Sequence, residues 1–354
     1  MKKILCLIGF LVFVAGCTAV NDNNSTNFDQ NGNIVTLFSS KTDAQDKAWV
    51  GTFQIVFNDM KNHIFKQDIE FVGEKPTEDL IGLNNEEFKA DMLNESSYYK
   101  SYGETSPQAK EKIKKAIKEK FNETSELLDL GDWSKSPTGD KFYAYAMLKK
   151  EFEFLKEFDI LDKSTFNGKG NFDYFGIKSD SNKELYKNVK VLFYNNDNDY
   201  AVMLNTKTND EIYLYRNDKN DTLKNLWDEM NDKAQKYKGN TYYTEHDKLK
   251  VPNIKVAQAR RFDELCGKII KGTNRMFSLA IETLQFELDS KGGKVKSEAL
   301  IMTDNAMAPI GKIECREFNF DKTFNIFLVD SGKTEPYLGM RIFDLSKFQN
   351  KEEK

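Results

Sequence analysis

The stretch TFNIFLVDSGKTEPYLGMRI, residues 323–342, decides the fold. It holds two short apolar runs, Thr323–Val329 and Pro336–Ile342, with polar residues between them. Runs of this length and composition predict two neighbouring β-strands near the end of the chain. The side chains that we expect to be buried in them are Phe324, Phe327 and Leu338.

Further strand patterns precede this stretch, and Asn/Asp-rich turns separate several of them. Phe142–Leu148 carries no charged residue, which predicts a strand that is covered on both faces. The other predicted strands are Val189–Asn195, Tyr200–Thr206, Glu211–Tyr215, Leu249–Val256, Ala280–Leu288, Lys296–Met302 and Ile310–Phe318.

Helical periodicity dominates the first third of the chain. The predicted helices are residues 44–64, Asn84–Asn94, a segment that begins at Ser106-Pro107, and, further on, Thr222–Asp232. Serine as a cap and proline in the first turn are typical of a helix start. Helices first and strands later, joined by hairpins, predict an α+β fold built on large antiparallel or mixed sheets.

The chain opens with Lys2, Lys3 and a short apolar run that ends at Ala15. This run falls below the roughly 20 residues of a membrane-spanning helix, and its layout is typical of a secretory signal. The exit, Val14-Ala15-Gly16-Cys17, resembles the lipobox of bacterial lipoproteins. The resemblance implies cleavage before Cys17, a diacylglycerol on its sulfur and a fatty-acyl group such as palmitate on its amino group. The alternative is an ordinary signal peptide with an incidental cysteine.

Three regions follow from these patterns. We expect a signal peptide over residues 1–16, a lipidated cysteine with a disordered tether over 17–44, and a single domain over 45–354. Thr18 after the cysteine favours, by analogy, an outer-membrane or cell-surface location in the envelope, outside the cytoplasm. The net charge of −4 is weak and its signs are interleaved, so nothing indicates a nucleic-acid partner. Cys266 and Cys315 either pair or remain free thiols.

Several later segments resemble strands of the serpin family, in the family's order. The segments are Leu249–Val256, Phe286–Gly292, Phe320–Asp330 and Tyr337–Ile342. The resemblance covers about residues 140–345 and implies a serpin-like fold. Two departures stand against it. Ala146 follows Tyr145 where the family has an asparagine, and the N-terminal third lacks the Ser-Pro-Leu-Ser-Ile type of segment that lets the family's main sheet open.

The resemblance also implies a reactive loop with a hinge before it. The candidate hinge residues are Gly292, Gly293, Val295, Ser297 and Ala299. The candidate reactive loop is Thr303, Asp304, Asn305, Ala306, Met307, Ala308 and Pro309. Small or apolar residues alternate with Lys294, Lys296 and Glu298, which suits either an insertable strand or one that is permanently paired.

Enzyme chemistry is not indicated. The mature chain holds two histidines, His63 and His246, too few for the common histidine-built metal centres. We predict no metal, no cofactor and no catalytic residue. The functional hypotheses are a non-inhibitory serpin-like lipoprotein, a serpin-type protease inhibitor, and a ligand-binding or adhesion lipoprotein. The expected partners are a membrane, through Cys17, and either a protease or a surface ligand.

Overall fold

The computed structural model describes residues 33–293 and 315–349. Its helices are α1 (Thr52–Asp59), α2 (Glu78–Asn84), α3 (Pro107–Phe121), α4 (Leu127–Leu130) and α5 (Leu223–Lys236). The first eight strands are β1 (Lys47–Val50), β2 (Tyr98–Glu104), β3 (Phe142–Leu148), β4 (Phe152–Glu153), β5 (Asp159–Phe166), β6 (Lys169–Ile177), β7 (Val189–Asn196) and β8 (Asp199–Asn205). The other eight are β9 (Glu211–Arg216), β10 (Lys248–Pro252), β11 (Ile254–Arg261), β12 (Ile281–Leu288), β13 (Gly292–Gly293), β14 (Glu317–Asn319), β15 (Phe324–Val329) and β16 (Pro336–Ile342).

The largest sheet is the centre of the core. It has six antiparallel strands in the order β1-β16-β15-β9-β8-β7. Every residue of β15 and β16 is buried, because the sheet is covered on both sides. Phe324 and Phe327 are wholly buried and Leu338 is 3% exposed, so the predicted core positions are confirmed.

Four strands form a second sheet, in the order β14-β10-β6-β5, and two pairs, β2–β3 and β11–β12, stand beside it as separate ladders. Helix α3 lies on the β2–β3 pair through Ile113 and Ile117, which pack against Tyr145. Ser106 caps this helix by accepting a hydrogen bond from Ala109 N at 3.0 Å, and Pro107 follows it, as predicted. The predicted α+β class is confirmed.

The N-terminal helix predictions were partly wrong. Within the predicted helix 44–64, the structure first forms β1, because Trp49 and its neighbours pair with β16, and only then α1. The helix predicted at Asn84–Asn94 lies earlier, as α2. The hydroxyl of Thr77 caps this helix by accepting a hydrogen bond from Leu80 N. The side-chain amide of Asn84 accepts a hydrogen bond from Ile69 N and donates one to Ile69 O, both at 2.9 Å.

The predicted tether boundary at residue 44 is too late. Ile34, Val35 and Leu37 are buried, and Val35 N donates to Ala48 O at 2.8 Å. The folded part therefore includes at least residues 34–37. The strand Phe142–Leu148 is present as β3, but six of its seven residues are only half-buried. The prediction that both faces are covered is wrong, because the residues of β3 line a cleft. Among the described residues, no helix is long and apolar enough to cross a bilayer.

Candidate functional site: the cleft beside the hinge glycines

A cleft of about 1330 Å³ separates the two strand pairs. Within residues 33–293 and 315–349, β3 pairs with β2 alone and β12 pairs with β11 alone. As far as the described residues go, each strand therefore presents one edge of unpaired backbone groups to the cleft. Such edges are templates for a further strand.

The floor of the cleft is the apolar side of α1. Its lining includes Phe53, Val56 and Phe57, and Met60 from the helical turn that follows. Phe53 stacks on Phe262, with ring centroids 3.8 Å apart. Aromatic contacts of this kind hold α1 against Phe262, the first residue of the long connection between β11 and β12.

Glu282 joins β12 to the first turn of α1. Its Oε1 accepts hydrogen bonds from Thr52 Oγ1 at 2.8 Å and from Phe53 N at 2.9 Å. Its Oε2 is buried and has no hydrogen-bond partner among the described residues. Burial raises the pKa of this carboxyl to about 7, although both hydrogen bonds and Arg260 act to lower it. The cleft wall thus holds a carboxyl that titrates near neutral pH.

The predicted hinge begins in a tight turn at one end of the cleft. Asp289 N donates to Gly292 O at 2.9 Å, so the chain reverses at once after β12. Gly292 then pairs with Glu153, and Gly293 with Phe152, in the antiparallel sense. Gly293 therefore lies beside Phe152, which lines the cleft.

Gly292 has to be glycine. Its φ is +143°, and an added Cβ would lie 2.1 Å from the carbonyl oxygen of Phe152. The turn itself is fixed to the body of the protein, since Phe154 N donates to Lys291 O at 2.9 Å and Phe158 N to Ser290 O at 2.8 Å.

A buried ion pair fixes the chain beyond the undescribed residues 294–314. Arg316 donates from Nε to Asp247 Oδ1 at 2.9 Å and from Nη2 to Oδ2 at 2.8 Å. Directly after it, β14 pairs in parallel with β10. The described chain is thus anchored on both sides of this segment, by β13 before it and by Arg316 after it.

A segment over residues 123–133, which we name the cover segment, lines the cleft as well. Its Leu128 is 2% exposed and packs with Tyr145 of β3. Lys149, just past β3, donates to Glu123 Oε1 at 2.7 Å, and Lys110 of α3 lies 2.7 Å from Asp129. The cover segment is therefore held to both β3 and α3.

Lys150 also borders the cleft, where it bridges the buried carboxylates of Asp210 and Asp330. Asp330 accepts further hydrogen bonds from Asn94 N and Ser97 Oγ, both at 2.9 Å. Burial alone would raise the pKa of Asp330, but Lys150 and Asn94 hold it below its usual value. This cluster ties the end of β3 to the six-stranded sheet.

The structure gives a position to only part of the predicted site. Gly292 and Gly293 lie in β13. Outside the described residues lie Cys17, the hinge candidates Val295, Ser297 and Ala299, and the whole candidate loop Thr303–Pro309. Cys266 is half-buried and Cys315 exposed, and both are free thiols. Burial raises the pKa of the Cys266 thiol, which is the opposite of what an activated thiolate requires.

Sequence reasoning missed Glu282, Lys150 and the cover segment. One signal for Glu282 was available, because it occupies an inward position in the alternation that continues with Leu284, Phe286 and Leu288. A carboxylate in such a row marks a buried polar site. Lys150 gave no signal, because its partners Asp210 and Asp330 lie 60 and 180 residues further along the chain.

Comparison with solved structures finds serpins. A thermophilic serpin, tengpin, in its native state has 11% sequence identity and a TM-score of 0.49, with 88% of this chain and 91% of that chain covered. SRPN18 from Anopheles gambiae has 8% sequence identity and a TM-score of 0.45, with 87% of this chain and 94% of that chain covered. Both of these serpins are similar to this chain at TM-scores below 0.5.

A third solved structure is similar over a smaller share of its own length. A complex of thyroxine-binding globulin with thyroxine has 11% identity and a TM-score of 0.40, and this chain spans 64% of its length. No protein-family model and no curated protein matches the chain. At these identities the likeness concerns the fold alone.

Proposed function

We propose that this protein is an extracytoplasmic lipoprotein, held to a membrane by a lipid on Cys17, whose serpin-like domain does not trap proteases. The leader and the Val14-Ala15-Gly16-Cys17 sequence support export and lipid attachment. Two or more acyl chains anchor a protein stably, because each buried methylene contributes about 0.8 kcal/mol.

The cover segment carries the non-inhibitory part of the proposal. A trap requires the hinge to enter the cleft as a new strand within the lifetime of an acyl-enzyme. With the small residues Val295, Ser297 and Ala299 turned to the core, Lys294, Lys296 and Glu298 would face outward. That outward side is where residues 123–133 line the cleft. Burying charged side chains there would cost several kcal/mol in lost hydration. Displacing the cover segment instead would break the Lys149–Glu123 contact and expose Leu128.

The experiment is to incubate the full chain with several serine and cysteine proteases and to look for a covalent complex that survives boiling in detergent. We expect cleavage between Thr303 and Pro309, a nicked domain with an unchanged melting temperature, and an active protease. A covalent band that disappears in Gly293→Arg, but persists in the matched control Gly332→Arg, would overturn the proposal. Gly332 suits this control because an added Cβ there meets nothing within 4 Å.

The alternative function is a serpin-type protease inhibitor, which would require the cleft to accept a further strand. Two strand edges that have no partner strand within the described residues border it, and Gly293 of β13 pairs with Phe152 of its lining. Under this alternative, cleavage raises the melting temperature, because the inserted strand would complete one continuous sheet. The same incubation therefore distinguishes the two functions.

A further inference from the structure

Three exposed apolar side chains form a row across three neighbouring chain segments. Val72, Ile269 and Met276 are 59%, 51% and 58% exposed. Val72 N donates to Ile269 O at 2.9 Å, and Ile269 forms an antiparallel bridge with Met276. Opposite side chains of paired strands lie about 4.5–5.5 Å apart, so these three make one patch, which we name the apolar row.

The apolar row sits on a rigid base. Phe71 and Ile270, which form the adjacent bridge, face the other way and are buried in a core cluster with Phe57. Two ion pairs flank the row, Lys271–Glu70 at 2.8 Å and Lys268–Glu74 at 2.6 Å. The three side chains are thus exposed on a part of the chain that is folded and packed against the core.

The area of the apolar row suits a lipid surface better than a second protein. A stable protein interface needs about 800 Å² on each partner, which is far more than three side chains supply. A bilayer has no such threshold, since each apolar side chain that leaves water contributes on its own. A domain already tethered to that bilayer also binds it at high effective concentration, so that a weak contact is occupied.

The point at which the described chain begins brings the bilayer within reach. Fifteen residues lie between Cys17 and Asn33, and the sixteen Cα–Cα steps span at most about 55 Å. Next to Asn33, Ile34 O accepts a hydrogen bond from Arg260 Nη1 at 3.0 Å, and Arg260 pairs with Glu282. Met276 is six residues from Glu282, which limits that separation to about 20 Å. The chain between Cys17 and Asn33 is therefore long enough for the apolar row to reach the bilayer.

We infer that the apolar row rests in the interface of the bilayer that carries the Cys17 lipid, and that it fixes the orientation of the domain on that membrane. The inference rests on the proposed lipid attachment. The long side chains of Lys268 and Lys271 lie beside the row, where their ammonium groups can remain at the level of the headgroups.

The test uses the full lipidated chain in vesicles of phosphatidylethanolamine and phosphatidylglycerol with brominated acyl chains, which quench tryptophan on contact. Ile269→Trp is compared with Ile160→Trp on the four-stranded sheet, where Ile160 is 73% exposed. The parent chain, with Trp49, Trp133 and Trp227, supplies the background. We expect strong quenching and a shift to shorter wavelength at position 269 and neither at 160.

Hydrogen exchange on the unmutated chain provides a second measurement. Amides of residues 70–72 and 269–276 should exchange more slowly on vesicles than in detergent. Vesicle flotation with equal quenching at both positions and no added protection would overturn the inference and leave the anchoring intact. A processed chain that does not float would remove the lipid attachment, and the inference with it.

Discussion

Arg316 and Asp247 form a two-pronged ion pair that is almost entirely shielded from water, with side chains 3% and 0% exposed. Both oxygens of Asp247 also accept backbone hydrogen bonds, from Arg316 N at 3.4 Å and from Thr244 N at 2.7 Å. The pair fixes the start of β14 against the turn before β10.

Asp247→Asn should therefore destabilise the domain. The guanidinium of Arg316 would remain buried without a full counter-charge, and breaking a buried pair typically costs about 3–5 kcal/mol. Urea unfolding of the two proteins measures the loss. The control is Glu317→Gln, which breaks the neighbouring exposed pair Lys248–Glu317 and should cost less than about 1 kcal/mol. An equal loss of unfolding free energy in the two variants would contradict the buried ion pair between Arg316 and Asp247.

Glu282 should make stability depend on pH. Its folded-state pKa of about 7 exceeds the ordinary 4.5, so the folded chain binds this proton more tightly than the unfolded chain does. The contribution of the proton is complete below about pH 4.5 and is lost as the pH rises toward 7. A shift of this size corresponds to about 3 kcal/mol.

Glu282→Gln should remove this dependence, because the amide oxygen can still accept from Thr52 and Phe53 but carries no proton to lose. The measurement is the free energy of unfolding between pH 4 and 8, with Glu104→Gln at the exposed end of β2 as the control. If the free energy of unfolding depends on pH as steeply in Glu282→Gln as in the parent, a group other than Glu282 is responsible.

Gly292→Ala should weaken the hinge turn more than an ordinary glycine substitution does. Gly332→Ala introduces only a side chain at φ +71° with free space around it, which should cost about 1 kcal/mol. Gly292→Ala adds a clash with the carbonyl of Phe152, and the total should exceed the control by about 1–3 kcal/mol. Thermal unfolding compares them, and matching melting temperatures would mean that β13 is not held as described.

Cys17→Ser should release the protein from the membrane or block its processing, because it removes the proposed lipid attachment site. Detergent phase partitioning of the envelope fraction measures this. The matched control is Cys315→Ser, which alters an exposed thiol of the folded domain and should leave partitioning unchanged. A processed Cys17→Ser chain that stays with the membrane would contradict lipid anchoring.

Strands with a strong apolar signal could be predicted from the sequence. Phe324–Val329 and Pro336–Ile342 appear where the apolar runs indicated, since both lie wholly inside the core. The helix 44–64 was misplaced because Trp49 happens to fall at helical spacing from Phe53, although it belongs to a strand whose partner is β16. Local periodicity contains no information about a partner strand that lies so far along the chain.

The candidate site was harder to predict, for a related reason. Gly292 and Gly293 could be located as a glycine pair after an apolar strand. The cleft could not, because it lies between edges of β3 and β12 that have no partner strand in the described part of the chain. Glu282 and Lys150 acquire their roles from Thr52, Phe53, Asp210 and Asp330, which only folding brings to them. The alternation in β12 indicated a buried carboxyl at Glu282, but neither composition nor spacing indicated the partners of Glu282 or Lys150.

The pairing of β1 with β16 also determines when the domain can complete its folding. Asp46, just before β1, accepts a hydrogen bond from Phe343 N at 2.6 Å across 297 residues of chain. During synthesis or export, the first strand to emerge must wait for the last before it has a neighbour. Folds dominated by such distant contacts close slowly, because loop-closure entropy is lost before any contact compensates for it. Until β16 arrives, Trp49 and Val50 remain exposed, and a chain interrupted shortly before Pro336 would be exposed to aggregation.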